Sequence, residues 1–73
     1  MAHITDYKRD SMLTIVGGTN TDIDDLEIAY LQAAGATSNQ VNDAWYEVFV
    51  LNGATSLNWN TAADQFLTAL GAT

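Results

Sequence analysis

Gly35-Ala36-Thr37-Ser38 returns as Gly53-Ala54-Thr55-Ser56, and Gly71-Ala72-Thr73 ends the chain on the same start. The three glycines, at positions 35, 53 and 71, are evenly spaced, which marks an internal repeat. Each glycine follows a proline-free run with helical spacing. Glycine just past such a run is the expected helix stop, because it enters the left-handed region without a Cβ clash. The short polar Ala-Thr-Ser stretch then leads to a Ser or Asn that opens the next helix. One unit therefore reads as a helix of about 11–13 residues plus a tight connector.

Aligned positions agree with this. Ile23, Val41 and Trp59 fall in register, as do Leu26, Ala44 and Ala62; Tyr30, Val48 and Phe66; and Leu31, Phe49 and Leu67. In the last unit Trp59, Ala62, Ala63, Phe66, Leu67 and Leu70 follow i, i+3, i+4, i+7, i+8, i+11, an apolar stripe. The helices are expected from Thr21 or Asp22 to Ala34, from Asn39 or Gln40 to Asn52, and from Asn58 to Leu70. Thr21 with Asp24 and Asn39 with Asn42 have capping spacing; in the last unit Asn58 or Ser56 takes that role.

The N-terminal residues do not join the series so readily. Met12-Leu13-Thr14-Ile15-Val16 is a short apolar run rich in β-formers, stopped by Gly17-Gly18. A lone strand has no partner in a helical chain. The run either packs across the helices or forms an arm that lies on a neighbouring subunit. Gly17-Gly18-Thr19-Asn20 reads as a hinge. The expected fold is thus all-α: a small three-helix bundle of three 18-residue helical repeats over residues 21–73, preceded by an extended arm and hinge over residues 1–20.

A chain of 73 residues has room for one domain. At that size only about 60% of the unfolded surface is buried, so support from a partner is expected. There are no cysteines, which removes disulfides and zinc-thiolate sites as that support. The composition, 48% hydrophobic and 15% charged, implies that some apolar surface is covered in an assembly. No stretch approaches the roughly 18–20 apolar residues of a membrane span. The N-terminus lacks a signal-peptide core, and Met1 suggests a complete small reading frame.

Net charge is −7, and both basic residues, Lys8 and Arg9, lie near the N-terminus between Asp6 and Asp10. From Asp22 onward there are seven acids and no Lys or Arg, so direct binding of a phosphate backbone is not expected. Asn20, Asp22 and Asp24 match the first ligand positions of a calcium loop, but Asp25 replaces the required glycine and Leu31 the bidentate Glu. These acids read instead as a helix start. His3 is the only histidine, and no nucleophile–base set or phosphate-cradling loop accompanies it. Asp10-Ser11-Met12-Leu13 has the order of an acyl-carrier attachment site, but it lies too early in the chain for one. No catalytic residue, metal or cofactor is expected.

The repeated units do resemble one known class of sequence. Val41-Asn42-Asp43-Ala44-Trp45-Tyr46-Glu47 with Leu51-Asn52-Gly53-Ala54-Thr55-Ser56 is similar to the tandem short helical repeats of tailed-bacteriophage structural proteins. Asp24-Asp25-Leu26-Glu27-Ile28-Ala29-Tyr30-Leu31 with Gly35-Ala36-Thr37-Ser38 is a second copy, and Asn60-Thr61 departs from the pattern. The likeness spans residues 21–73 and carries no catalytic signature. It implies a virion component assembled in a bacterial host: a capsid decoration or cement protein, or another head, neck or tail accessory. Its partner would be the major capsid protein or another virion structural protein, with many copies or a homo-oligomer in the assembly. Large side chains spread over more than one face of the second helix suggest a contact surface. The candidate interface residues are Ile4, Tyr7, Leu13, Ile15, Val16, Trp45, Tyr46 and Val50. The alternative is an acidic intracellular adaptor or inhibitor of a basic protein.

Overall fold

The computed structural model describes residues 7–18 and 24–71. Among these the regular elements are α1 (Arg9–Ile15), α2 (Asp24–Ala33), α3 (Val41–Leu51) and α4 (Trp59–Ala69). The all-α expectation holds, and the last three helices fall inside the expected spans. The expected three-helix bundle with an extended arm is corrected: the described residues hold four helices, and α1 occupies the segment assigned to the arm.

The reason lies in spacing. Arg9, Met12 and Leu13 stand at i, i+3 and i+4, so a helix puts all three on one face, and all three are buried. Burying Met12 and Leu13 outweighs the weak β-preference of Thr14, Ile15 and Val16. The helix then stops as the others do. Gly17 has φ +99°, and the Gly18 N–H donates to the Leu13 carbonyl at 2.8 Å. At α2 the Ala36 N–H donates to Leu31 at 3.0 Å, and at α3 the Ala54 N–H donates to Phe49 at 2.9 Å. Each is the six-to-one bond of a glycine-terminated helix. Gly17 thus extends the evenly spaced series Gly35, Gly53 and Gly71 backward by one equal step, in position and in conformation.

The expected hinge does not hold at Gly18. Gly18 is buried, and a Cβ there would meet the Tyr30 ring at 2.8 Å and Leu13 Cδ1 at 2.9 Å. Gly18→Ala is therefore expected to destabilise the chain by about 1–3 kcal/mol through overpacking. A hinge glycine would respond in the opposite direction, gaining about 0.4–1 kcal/mol from a less flexible unfolded chain. Urea unfolding of the two proteins separates these by sign. Thr19, Asn20 and the cap expected at Thr21 lie outside the described residues.

The connectors are held by the helices that follow them. The Thr37 N–H and hydroxyl donate to Glu47 Oε1 at 2.7 and 2.8 Å, and the Ser38 N–H donates to Oε2 at 3.1 Å. In the next connector the Thr55 and Ser56 N–H groups donate to Gln65 Oε1 at 3.0 and 3.3 Å. Helix α4 is capped by Asn58, which accepts from the Thr61 N–H at 3.1 Å, as expected. Helix α3 is not capped by Asn39; its N-cap is Gln40, without a side-chain bond, and the Gln40 N–H donates to Ser38 Oγ at 3.0 Å.

The donors of Thr37, the backbone N–H first, hold the Glu47 carboxyl below its usual range. With the folded value below the unfolded one, the clamp stabilises above the ordinary value of 4.5 and loses that contribution as pH falls through the folded value. Glu47→Gln, which copies Gln65, has no such dependence. The stability difference between the two proteins should therefore be present at neutral pH and shrink in acid, as read by urea midpoints along a pH series.

Helix α3 packs against both α2 and α4. Its Phe49 is at the centre of an aromatic cluster, with ring centroids 5.8 Å from Trp45, 5.8 Å from Tyr46, 5.2 Å from Trp59 and 5.4 Å from Phe66. Leu13, Leu31, Phe49 and Leu67 keep the spacing of the glycines, one from each helix, and all are buried in this core. The residues just before α1 also meet the last helix. Lys8 Nζ lies 2.9 Å from Asp64 Oδ1, and Trp59 Nε1 donates to the Tyr7 carbonyl at 3.4 Å. The four helices bury Trp45, Trp59, Phe49 and Phe66, while Tyr46 is half-buried.

Candidate functional site

The most unusual chemistry in the core is a charged tie between three helices. Glu27 on α2 is fully buried, and Arg9 on α1 is 5% exposed. Arg9 Nη2 and Nε donate to Glu27 Oε1 at 2.7 and 3.2 Å. Trp45 Nε1 on α3 donates to the other oxygen, Oε2, at 2.6 Å. Both carboxylate oxygens are thus occupied by donors from two other helices. The carboxylate so enclosed ties α1, α2 and α3 to one another.

The sequence did hold a signal for this tie. Arg9, Glu27, Trp45 and Ala63 recur at the same spacing as the glycines, and all four are buried. Glu27 stands in the sequence reading only as one of the seven acids counted from Asp22 onward. Its alignment with Trp45, a core position, is what places it inside.

The expected interface residues fall in different places. Leu13 is fully buried and Trp45 1% exposed, so both serve the chain's own core and present no accessible surface. Ile4 lies outside the described residues, as do His3 and two positions of the calcium-like series, Asn20 and Asp22. Tyr7 is exposed beside Lys8 and Asp64; its hydroxyl donates to Asp64 Oδ2 at 3.3 Å. The remaining four divide between two surfaces.

Tyr46 and Val50 share the outer face of α3. With Gly35, Glu47 and Leu51 they line a shallow depression of about 380 Å³. The Tyr46 hydroxyl donates to the Leu57 carbonyl at 3.1 Å, which puts Leu57 beside it. Val50 and Leu51 are each 62% exposed and Leu57 is 90% exposed. Leu51 counts by spacing with the apolar face of its helix, and Leu57 stands at a cap position in a connector, so neither was among the expected interface residues.

No protein-family model, curated protein or solved structure matches the chain. The functional reading therefore rests on its own surfaces.

Ile15 and Val16 belong to the second surface. Val16, Ala34, Asn52 and Leu70, the residues just past the ends of α1 to α4, all line one cleft of about 450 Å³. Val48 and Phe66, both buried, form its deep part. The C-terminal ends of the four helices therefore converge on a single apolar mouth. None of the four carries a basic residue in its last turn.

Proposed function

We propose that this chain is a non-enzymatic adhesion module, a virion structural protein of the tailed-phage type that decorates or cements an assembled lattice. In this reading four short helices close on one another into a small body, and that body docks on the major capsid protein or another virion component in many copies. The observation that carries it is the outer face of α3: Val50, Leu51 and Leu57 stand in solvent around half-buried Tyr46 although the core is already filled with aromatic side chains. A surface of this kind gains free energy only when another body covers it. Binding the assembled lattice and not its free subunits stabilises the assembly by mass action. A body with a stable core of its own also arrives ordered, which lowers the cost of docking.

The test has two arms. Mass spectrometry of purified particles should find the chain, and its absence from them would remove the virion assignment. Val50→Glu with Leu57→Glu should leave stability within about 0.5 kcal/mol, since both positions are exposed, while abolishing co-sedimentation with the particles. Retention of co-sedimentation by this double variant would remove α3 as the docking face.

A second reading, an acidic adaptor for a basic protein, is favoured by one specific fact. Both basic side chains are already paired within the chain, Lys8 with Asp64 and Arg9 with Glu27, so the rest of the surface charge is acidic. Salt separates the two. An adaptor held by charge loses its partner steeply between low and high ionic strength, and an apolar cement does not.

A further inference from the structure

The mouth where the four helices end is a separate surface from the α3 face, and its chemistry specifies an occupant. Its wall and floor are apolar, built by Ile15, Val16, Leu70 and Phe66 with the small Ala34 between them. The three longer helices, α2, α3 and α4, bring the negative poles of their dipoles to this rim. No basic side chain in any last turn offsets them. Two side chains of the lining, Tyr30 and Asn52, carry polar atoms, and Asn52 adds to this. Asn52 Nδ2 donates to the Val48 carbonyl at 2.8 Å, so the free half of the amide is its acceptor oxygen. An apolar well under an electronegative rim suits a long aliphatic stem that ends in a cation.

We propose that this cleft receives a Lys or Arg side chain projecting from a partner protein, with its methylene stem in the well and its charge at the helix ends. A second copy of this chain is a poor source of that group. Lys8 and Arg9 are its only Lys and Arg residues, and both are held in ion pairs at 2.9 and 2.7 Å. The occupant therefore comes from a different, basic protein. The cleft is open to solvent along the side chains of Ile15, Val16 and Leu70, so a free small molecule would stay largely wet in it. A side chain carried on a protein brings its own cover for that apolar rim. The proposal does not depend on the α3 face being a docking surface, and the two are tested by different residues.

The experiment is an NMR titration of the full, methyl-labelled chain at low salt. The probes are three end-blocked tripeptides, leucine-lysine-leucine, leucine-norleucine-leucine and leucine-glutamate-leucine, together with spermidine. The expected result is that the methyl signals of Val16, Ala34 and Leu70 move, and that the lysine peptide saturates them at up to about five-fold lower concentration than the norleucine peptide. The glutamate peptide should be weakest. Added salt should narrow the gap between lysine and norleucine. Ala34→Phe, at an exposed position in the rim, should fill the mouth and abolish the shifts while the chain stays folded. Equal binding of lysine and norleucine peptides would overturn the role of charge. Shifts confined to other residues, or none with any peptide, would overturn the site. Spermidine saturating the same signals as tightly as the lysine peptide would overturn a protein-borne occupant.

Discussion

Arg9→Met should cost about 3–5 kcal/mol, because it leaves the Glu27 carboxylate buried without its counter-ion. Met matches the length of the arginine stem, so little packing is lost and the change isolates the charge. Glu27 has no exposed surface through which water could replace the guanidinium. A 73-residue chain has a total stability on the order of 4–11 kcal/mol at typical values per residue, so the variant is left near the edge of folding. The companion variants distinguish this from a simple loss of contacts. Arg9→Met with Glu27→Leu removes both charges and should recover most of the loss. It still strands the Trp45 indole N–H, which donates to Glu27 at 2.6 Å, at a cost of about 1–3 kcal/mol. Adding Trp45→Phe removes that donor but opens a void where the larger ring packed, so the two effects oppose each other. Urea unfolding of the series should therefore rank the single variant lowest, with the double and the triple both above it. If the single variant lost less than about 1 kcal/mol, the pair would be behaving as an exposed one.

The same tie shows what sequence reasoning reached and what it did not. Helices α2, α3 and α4 were readable because each combines a spaced apolar face with a glycine stop at position 35, 53 or 71. Helix α1 was not read as one, although Gly17 keeps the same interval from Gly35. Its β-branched end, Thr14-Ile15-Val16, and the second glycine in place of alanine hid the match. The positive φ at Gly17 and the bond from Gly18 to Leu13 show that this stop follows the same geometry. Glu27 was not read as a core residue for a different reason: charge counting registers an acid's sign and not its burial, which shows only in the core partner aligned with it.

The two surfaces differ in the same respect. Tyr46 and Val50 were recognisable as outward positions because they stand at i and i+4 on a helix whose opposite face is filled by Trp45, Val48 and Phe49. Leu57 was not, since a connector has no periodicity to assign its direction. The mouth at the helix ends is a property of tertiary arrangement. Val16, Ala34, Asn52 and Leu70 are evenly spaced in the sequence, but only the packing of α1 to α4 brings them around one cleft.

Phe49→Ala is the other change expected to have a large effect, about 3–5 kcal/mol. Phe49 is fully buried and is the ring shared by four aromatic neighbours, Trp45, Tyr46, Trp59 and Phe66. Truncation removes its transfer free energy and leaves a void, and the edge-to-face contacts with Tyr46 and Trp59 are lost as well. The void should not close easily. Trp45 is held at its indole N–H by Glu27, Tyr46 at its hydroxyl by the Leu57 carbonyl and Trp59 at its indole N–H by the Tyr7 carbonyl, so three of the four neighbours are anchored by their polar ends. Leu51→Ala, two positions along on the exposed side, should by contrast change stability by no more than about 0.5 kcal/mol. Benzene offers a direct check on whether the cavity persists. A dry apolar cavity of ring size takes up an aromatic solute, so benzene should raise the melting temperature of Phe49→Ala and leave that of the parent chain unchanged. Absence of that rescue, with a loss well under about 2 kcal/mol, would mean that the neighbours collapse into the space and that the cluster is not fixed by its polar anchors.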